Sequence, residues 1–288
     1  PVPTGTVDFV TSTSGPLAAL WYLLFVWPMF LFVPDRPSRA SSSDAGAFSL
    51  SAFWRSLRRD LRDHPRLARF ILARMLYQDG INALLVLGGA FAAATFGWTV
   101  TESGVFGLLL AVAATIGCLG AGFLDRRVGP RPILLGGLVM LTLAVLGIVS
   151  TGPTSTLFGL LAFAPDAAGG GLFAAPAEKA FLVYGCLIGI AFGPVQASSR
   201  SALATAVPTA EAGRWFGLYA LTGRATGFLA PLLVAGLTAL SALWTDTTTA
   251  TRIGMAVLAL FFVAGLLLLP RRIAPGIGDI SAGNGASR

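Results

Sequence analysis

The chain has 288 residues, 55% of them hydrophobic and only 11% charged, with a net charge of +7, whereas an average soluble domain carries about 25% charged residues. That balance excludes a water-soluble globule and makes the chain an integral membrane protein. The basic residues are nineteen Arg and one Lys set beside apolar runs, a pattern that anchors a chain to a lipid bilayer and does not fit nucleic acid as a partner.

Crossing the hydrocarbon takes about 20 apolar residues. Seven segments reach that length, at residues 16–34, 67–97, 103–124, 131–151, 180–207, 212–243 and 252–270. The chain opens at Pro1 with no charged n-region and no cleavage site, so its N-terminus reads as a cut through a longer protein and not as a signal peptide. After the first span, residues 36–46 form a polar Ser and Arg linker. Residues 49–63 then place Leu50, Phe53, Trp54, Leu57 and Leu61 at helical spacing opposite Arg55, Arg58, Arg59 and Arg62. This amphipathic helix, ended by Pro65, either lies on the inner leaflet or packs on the end of the bundle. The Gly, Ala and Pro of residues 152–178 predict a long loop, with 157–163 apolar enough to dip into the interface.

Cytoplasmic loops collect Lys and Arg. With strict alternation of the spans, fifteen Arg fall on the side of residues 35–66, against Lys179 and Arg252 on the other. The C-terminus is therefore expected in the cytoplasm. Arg74, Arg200 and Arg224 remain inside spans.

The second span carries Arg74, Tyr77, Gln78, Asp79 and Asn82 near its centre. Ionisable groups at that depth face protein or a water-filled cavity and mark solute paths. At about 1.5 Å per residue, Asp79 lies about 18 Å from Leu67, and Arg224 lies at a similar depth on its own span. Matched depth and opposite charge suggest an Asp79–Arg224 pair that gates the path, or else a static bridge or no contact between the two. Arg74 and Arg200 lie about 10 Å deep, where snorkelling to the boundary is cheap. Gln78 with Asn82, and Gln196 with Arg200, are i, i+4 pairs that put two polar stripes on two helices. Amides and arginines in one cavity suit a small polar or zwitterionic solute. Gly185, Gly189 and Gly193 form a small-residue ladder ending at Pro194, and Gly223, Gly227 and Pro231 repeat it in the next span. Both sets read as close helix packing with a kink.

Cys118 and Cys186 sit in apolar runs and read as packing residues, and His64 is the one His, so neither a metal site nor a cofactor is expected. A retinal pump needs a lysine within a span, and Lys179 lies at a loop edge. A membrane-embedded enzyme needs clustered carboxylates, and no further acid follows Asp79 in its span, so no catalytic residue is assigned. A non-transporting membrane scaffold is the remaining alternative to a carrier.

The loop Gly120-Ala-Gly-Phe-Leu-Asp125-Arg126-Arg127-Val-Gly129-Pro-Arg131 resembles the charged turn of the major facilitator superfamily, with its acidic residue displaced by one. Three longer strings, 72–82, 193–201 and 216–231, resemble the UMF1 and vacuole effluxer family within that superfamily. The resemblance implies an all-α membrane protein of twelve helices in two halves. This chain would hold the sixth helix (residues 1–34), the central cytoplasmic loop (35–66), the C-terminal six-helix bundle (67–270) and a cytoplasmic tail (271–288). It also implies alternating access with a missing N-terminal half as partner, a cytoplasmic lock made by Gly120, Asp125, Arg126, Arg127, Gly129 and Arg131, and no enzymatic activity. Fungal members are described as exporting amino acids from the vacuole. The Arg and Ala bias of this chain points instead to a bacterial plasma membrane.

Overall fold

An apolar run in lipid has no water to satisfy its backbone, so it must close its own hydrogen bonds as a helix. The computed structural model describes residues 4–32, 50–163, 171–208 and 211–271. The chain divides into two units, residues 1–55 and 56–288. In the first unit α1 (Thr4–Phe32) exposes Leu17, Trp21, Phe25 and Phe30 on all its sides, as suits a helix in contact with lipid or with other helices. The expected linker at residues 36–46 and the tail from residue 272 lie outside the described residues.

In the second unit the spans are α3 (Pro65–Phe96), α4 (Val100–Val128), α5 (Pro130–Ser150), α6 (Pro176–Ala206), the pair α7 (Ala212–Ala225) and α8 (Leu229–Ser241), and α9 (Thr247–Leu268), with α2 (Leu50–Asp63) before them. Among the described residues seven stretches, α1 included, are long and apolar enough to cross a membrane. α6 packs between α4 and α5, and α9 packs against α3, α5 and α8. Phe70, Tyr77, Leu138, Leu141, Phe181, Leu258 and Phe262 fill the core between them. The turn from α4 to α5 needs Gly129, whose φ of +78° is costly for any residue with a Cβ.

The glycine ladder on α6 lets α4 approach. A Cβ on Gly189 would stand 2.6 Å from the Leu110 carbonyl oxygen, and one on Gly193 2.9 Å from that of Ala114. A Cβ on Gly185 would meet the Phe106 ring. Pro194 lies inside α6, which runs without interruption from Pro176 to Ala206.

The break falls in the next span. Residues 226–228 leave the helix between α7 and α8, where the sequence predicted one span bent at Pro231. A proline inside a continuous helix lacks the N–H and clashes with the carbonyl four residues earlier, here that of Gly227. Restarting at Leu229 puts Pro231 in the first turn of α8, where its N–H is not needed. Gly223 lies in the last turns of α7 against Arg74, and Gly227 lies in the break.

The loop 152–178 is shorter than expected, because α6 begins at Pro176. It holds a two-residue hairpin, Ser155 opposite Ala162 and Thr156 opposite Leu161, with Phe158 and Leu160 exposed at its tip. At the opposite, arginine-rich end, Asp60 of α2 pairs with Arg214 and the His64 ring meets Trp215 edge-on. These contacts join the end of α2 to the start of α7. The side chains of Leu50, Phe53 and Trp54 lie outside the described residues.

Gly189→Leu is expected to cost about 1–3 kcal/mol by overpacking the α4–α6 contact, read as a lower thermal midpoint in detergent. Gly136→Leu, with open space around that position, should leave the midpoint unchanged.

Candidate functional site

The polar stripes meet. Arg74, Gln78 and Asn82 recur every fourth residue and so share one face of α3. They line a cavity of about 820 Å³ together with Gln196 and Arg200 of α6 and with Phe216, Tyr219, Gly223 and Arg224 of α7. Six of the eight pathway residues proposed from the sequence lie on this one surface, and no carboxylate lines it. Among the described residues no cluster of His, Cys, Asp or Glu is suited to a metal ion.

Arg74 does not snorkel. It is 6% exposed, its Nη1 donates to the Tyr219 carbonyl at 2.7 Å, and its guanidinium carbon lies 3.4 Å from the centre of the Tyr219 ring. Gly223 leaves room for it, since a Cβ there would stand 2.6 Å from Arg74 Nη1. For a buried guanidinium stacked on a tyrosine face, the aromatic quadrupole offsets part of the desolvation.

Tyr77 and Asp79 do not line the cavity. The Tyr77 hydroxyl is 2.8 Å from Ser199 Oγ, which is 2.9 Å from the Tyr219 hydroxyl. This chain ties α3, α6 and α7 together directly behind the wall. Gln78 spends an amide N–H on Asn82 Oδ1 at 3.0 Å, and its own Oε1 is buried without a partner.

Asp79, 1% exposed, accepts the Ala230 N–H on Oδ2 at 2.8 Å, while its Oδ1 has no partner. It caps the first turn of α8 from another helix. The expected Asp79–Arg224 pair is absent: the carboxylate is turned to the broken span, and Arg224 is exposed at the cavity. Depth alone predicted a partner, but direction around the helix decided which one. A carboxylate at a helix N-terminus is favoured by the dipole and by the orphan N–H groups.

At the α4–α5 turn, Gly129 donates its N–H to the Asp125 carbonyl at 2.9 Å, and Arg131 Nε donates to the Pro270 carbonyl at 3.0 Å. Arg126 and Arg127 are exposed, Gly120 has open space, and Asp125 Oδ1 is buried without a partner. What the turn does build is a tie from α5 to the end of α9.

Tyr219, Phe216 and Cys118 were not singled out from the sequence as lining residues. The spacing of 216, 219, 220 and 223 on one face with Arg224 was the available signal for the α7 pair. Cys118 gives no signal beyond its place on the face of α4 toward Gly193.

Long apolar helices, a broken span and a polar cavity between helices make this an all-α membrane protein, and its similarity to an MFS-type protein supports the major facilitator fold. The vacuole effluxer Atg22-like family model matches residues 8–272, and the chain belongs to that family. Autophagy-related protein 22 of Coccidioides immitis is 22% identical over 264 residues, covering 88% of this chain and 40% of that protein. Autophagy-related protein 22-2 of Neosartorya fischeri is 25% identical over 268 residues, covering 88% and 40%. An uncharacterized MFS-type transporter of Bacillus subtilis, YxiO, is 22% identical over 230 residues, covering 80% and 48%. The chain thus spans less than half the length of these relatives.

Two predictions test the wall. Asp79→Ala strands the Ala230 N–H and should cost about 1–3 kcal/mol, whereas Asp79→Asn keeps an acceptor and should lose less; thermal unfolding in detergent separates them. Ser199→Ala and Tyr219→Phe should each destabilise by about 1 kcal/mol. Their double variant should lose less than the sum, because both delete the same hydrogen bond.

Proposed function

We propose that these residues form one part of a carrier that moves a small polar solute across a membrane by alternating access, with amino acids as the first candidates. The cavity carries this reading. It gathers three guanidinium groups and three amides from α3, α6 and α7 onto one surface beside a span broken within its length. Guanidinium forks at Arg200 and Arg224 suit a carboxylate, and the amide oxygens of Asn82 and Gln196 suit an ammonium. Broken helices at a solute site are the parts that rearrange when one bundle rocks against another. The family description, a vacuole effluxer, and the transporter named among the relatives support the same class.

Alternating access needs an opposite wall. In this reading the rest of a longer protein supplies it, consistent with relatives more than twice the length of the matched region. The turn at Asp125, Arg126, Arg127 and Arg131 then works as a conformational lock, with Asp125 Oδ1 as the group that awaits a partner in another conformation. The arginine-rich end faces the cytoplasm, and the membrane is a bacterial plasma membrane. The asymmetry of basic residues supports the first point.

Full-length protein in sealed vesicles, loaded with one polar metabolite at a time, tests the reading by counterflow of the labelled solute. Saturable exchange of an amino acid is expected, and Arg224→Gln should lower it at least tenfold with unchanged protein yield. Rates equal to those of empty vesicles for every solute would sink it. For orientation, Arg127→Cys in a background with Cys118 and Cys186 replaced by Ala should react with an impermeant maleimide only after the cells are opened.

A further inference from the structure

A second hollow, of about 750 Å³, lies at the arginine-rich end outside the cavity. Its lining is Arg66 and Arg69 from the start of α3, Arg131 from the start of α5, Arg271 just beyond α9, and the apolar Leu266, Leu267, Leu269 and Pro270. The solute reading uses none of these arginines to bind anything. From this arrangement we propose that the hollow binds the phosphate headgroup of an anionic phospholipid.

Among the described residues its lining holds four guanidinium-bearing residues and no acid, a set that suits an anion. Two helices begin here with proline in the first turn, and neither α3 nor α5 has a side-chain cap. Their dipoles and first-turn N–H groups add to the positive field. The opposing carbonyl end of α9 is partly neutralised, because Pro270 O accepts from Arg131 Nε. That bond also orients the Arg131 fork.

The surroundings select a lipid over a free phosphate. Leu267 at the rim is 72% exposed, and Leu260 (66%) and Val263 (36%) continue it along one face of α9. These three stand at i, i+3 and i+7, an unbroken apolar stripe that leads from the hollow along the span. A phosphodiester seated among the arginines would lay its acyl chains on that stripe. Basic pockets between spans at a membrane boundary are the general form of headgroup sites.

Purified full-length protein is titrated with phosphatidylglycerol, phosphatidylcholine or inorganic phosphate, with lipid retention read by native mass spectrometry and stability by the thermal midpoint. Phosphatidylglycerol should be retained and raise the midpoint, and phosphatidylcholine should do neither. Arg66→Gln/Arg69→Gln should cut phosphatidylglycerol retention at least tenfold, whereas Arg126→Gln/Arg127→Gln, at the same end but outside the hollow, should not change it. If the first double variant fails to fold, a photoactivatable phosphatidylglycerol on the unaltered protein should cross-link within residues 66–72 and 260–271. Equal retention of both lipids, cross-links confined to other helices, or an inorganic phosphate effect as large as that of the lipid would each overturn the proposal.

Discussion

The Ala230 N–H reaches the Asp79 carboxylate across 2.8 Å, and that bond is what allows a span to be broken inside the bundle. Breaking a helix in a bilayer frees backbone N–H groups with no water to receive them, at a cost of several kcal/mol for each group left bare. Here Pro231 removes one of those donors, and Asp79 satisfies another from a neighbouring helix. The carboxylate in turn gains the favourable end of the α8 dipole. Each feature on its own would be unfavourable in lipid, and each supplies what the other lacks.

The break has a consequence for the cavity. Because α7 ends at Ala225, its last turns present Tyr219, Gly223 and Arg224 to α3 and α6 independently of the line taken by α8. Arg74 stacks on Tyr219 only because Gly223 has no side chain. The hydroxyl chain from Tyr77 through Ser199 to Tyr219 then fixes the three helices behind the wall. Such buried polar networks are stable only when fully satisfied. Beside the hydroxyl chain, Gln78 Oε1 and Arg74 Nε are buried without a partner.

Much of the site was legible from spacing alone. Gln78 with Asn82, and Gln196 with Arg200, stand one helical turn apart, and the helix delivers each pair to one face whatever it packs against. The Gly185, Gly189 and Gly193 ladder was legible for the same reason, since a repeat of four on a helix is a straight groove. Asp79 was misread because depth along an axis says nothing about direction around it. For Arg74 the depth was legible but its stacking partner was not, because Tyr219 lies 145 residues away in the chain.

The sequence by itself determined what depends on composition and on local period: seven membrane-length apolar runs, the glycine faces, the polar stripes and the crowding of arginine at one end. The tertiary structure decided whatever depends on a distant partner. Only there does Asp79 find the N-terminus of α8 instead of Arg224, and only there does Pro194 pass through a helix while the next span breaks before Pro231. The physical reason is the same in each case. A helix sets which residues share a face, but the low-dielectric interior leaves the pairing of buried polar groups to whichever donor or acceptor the packing brings within about 3 Å.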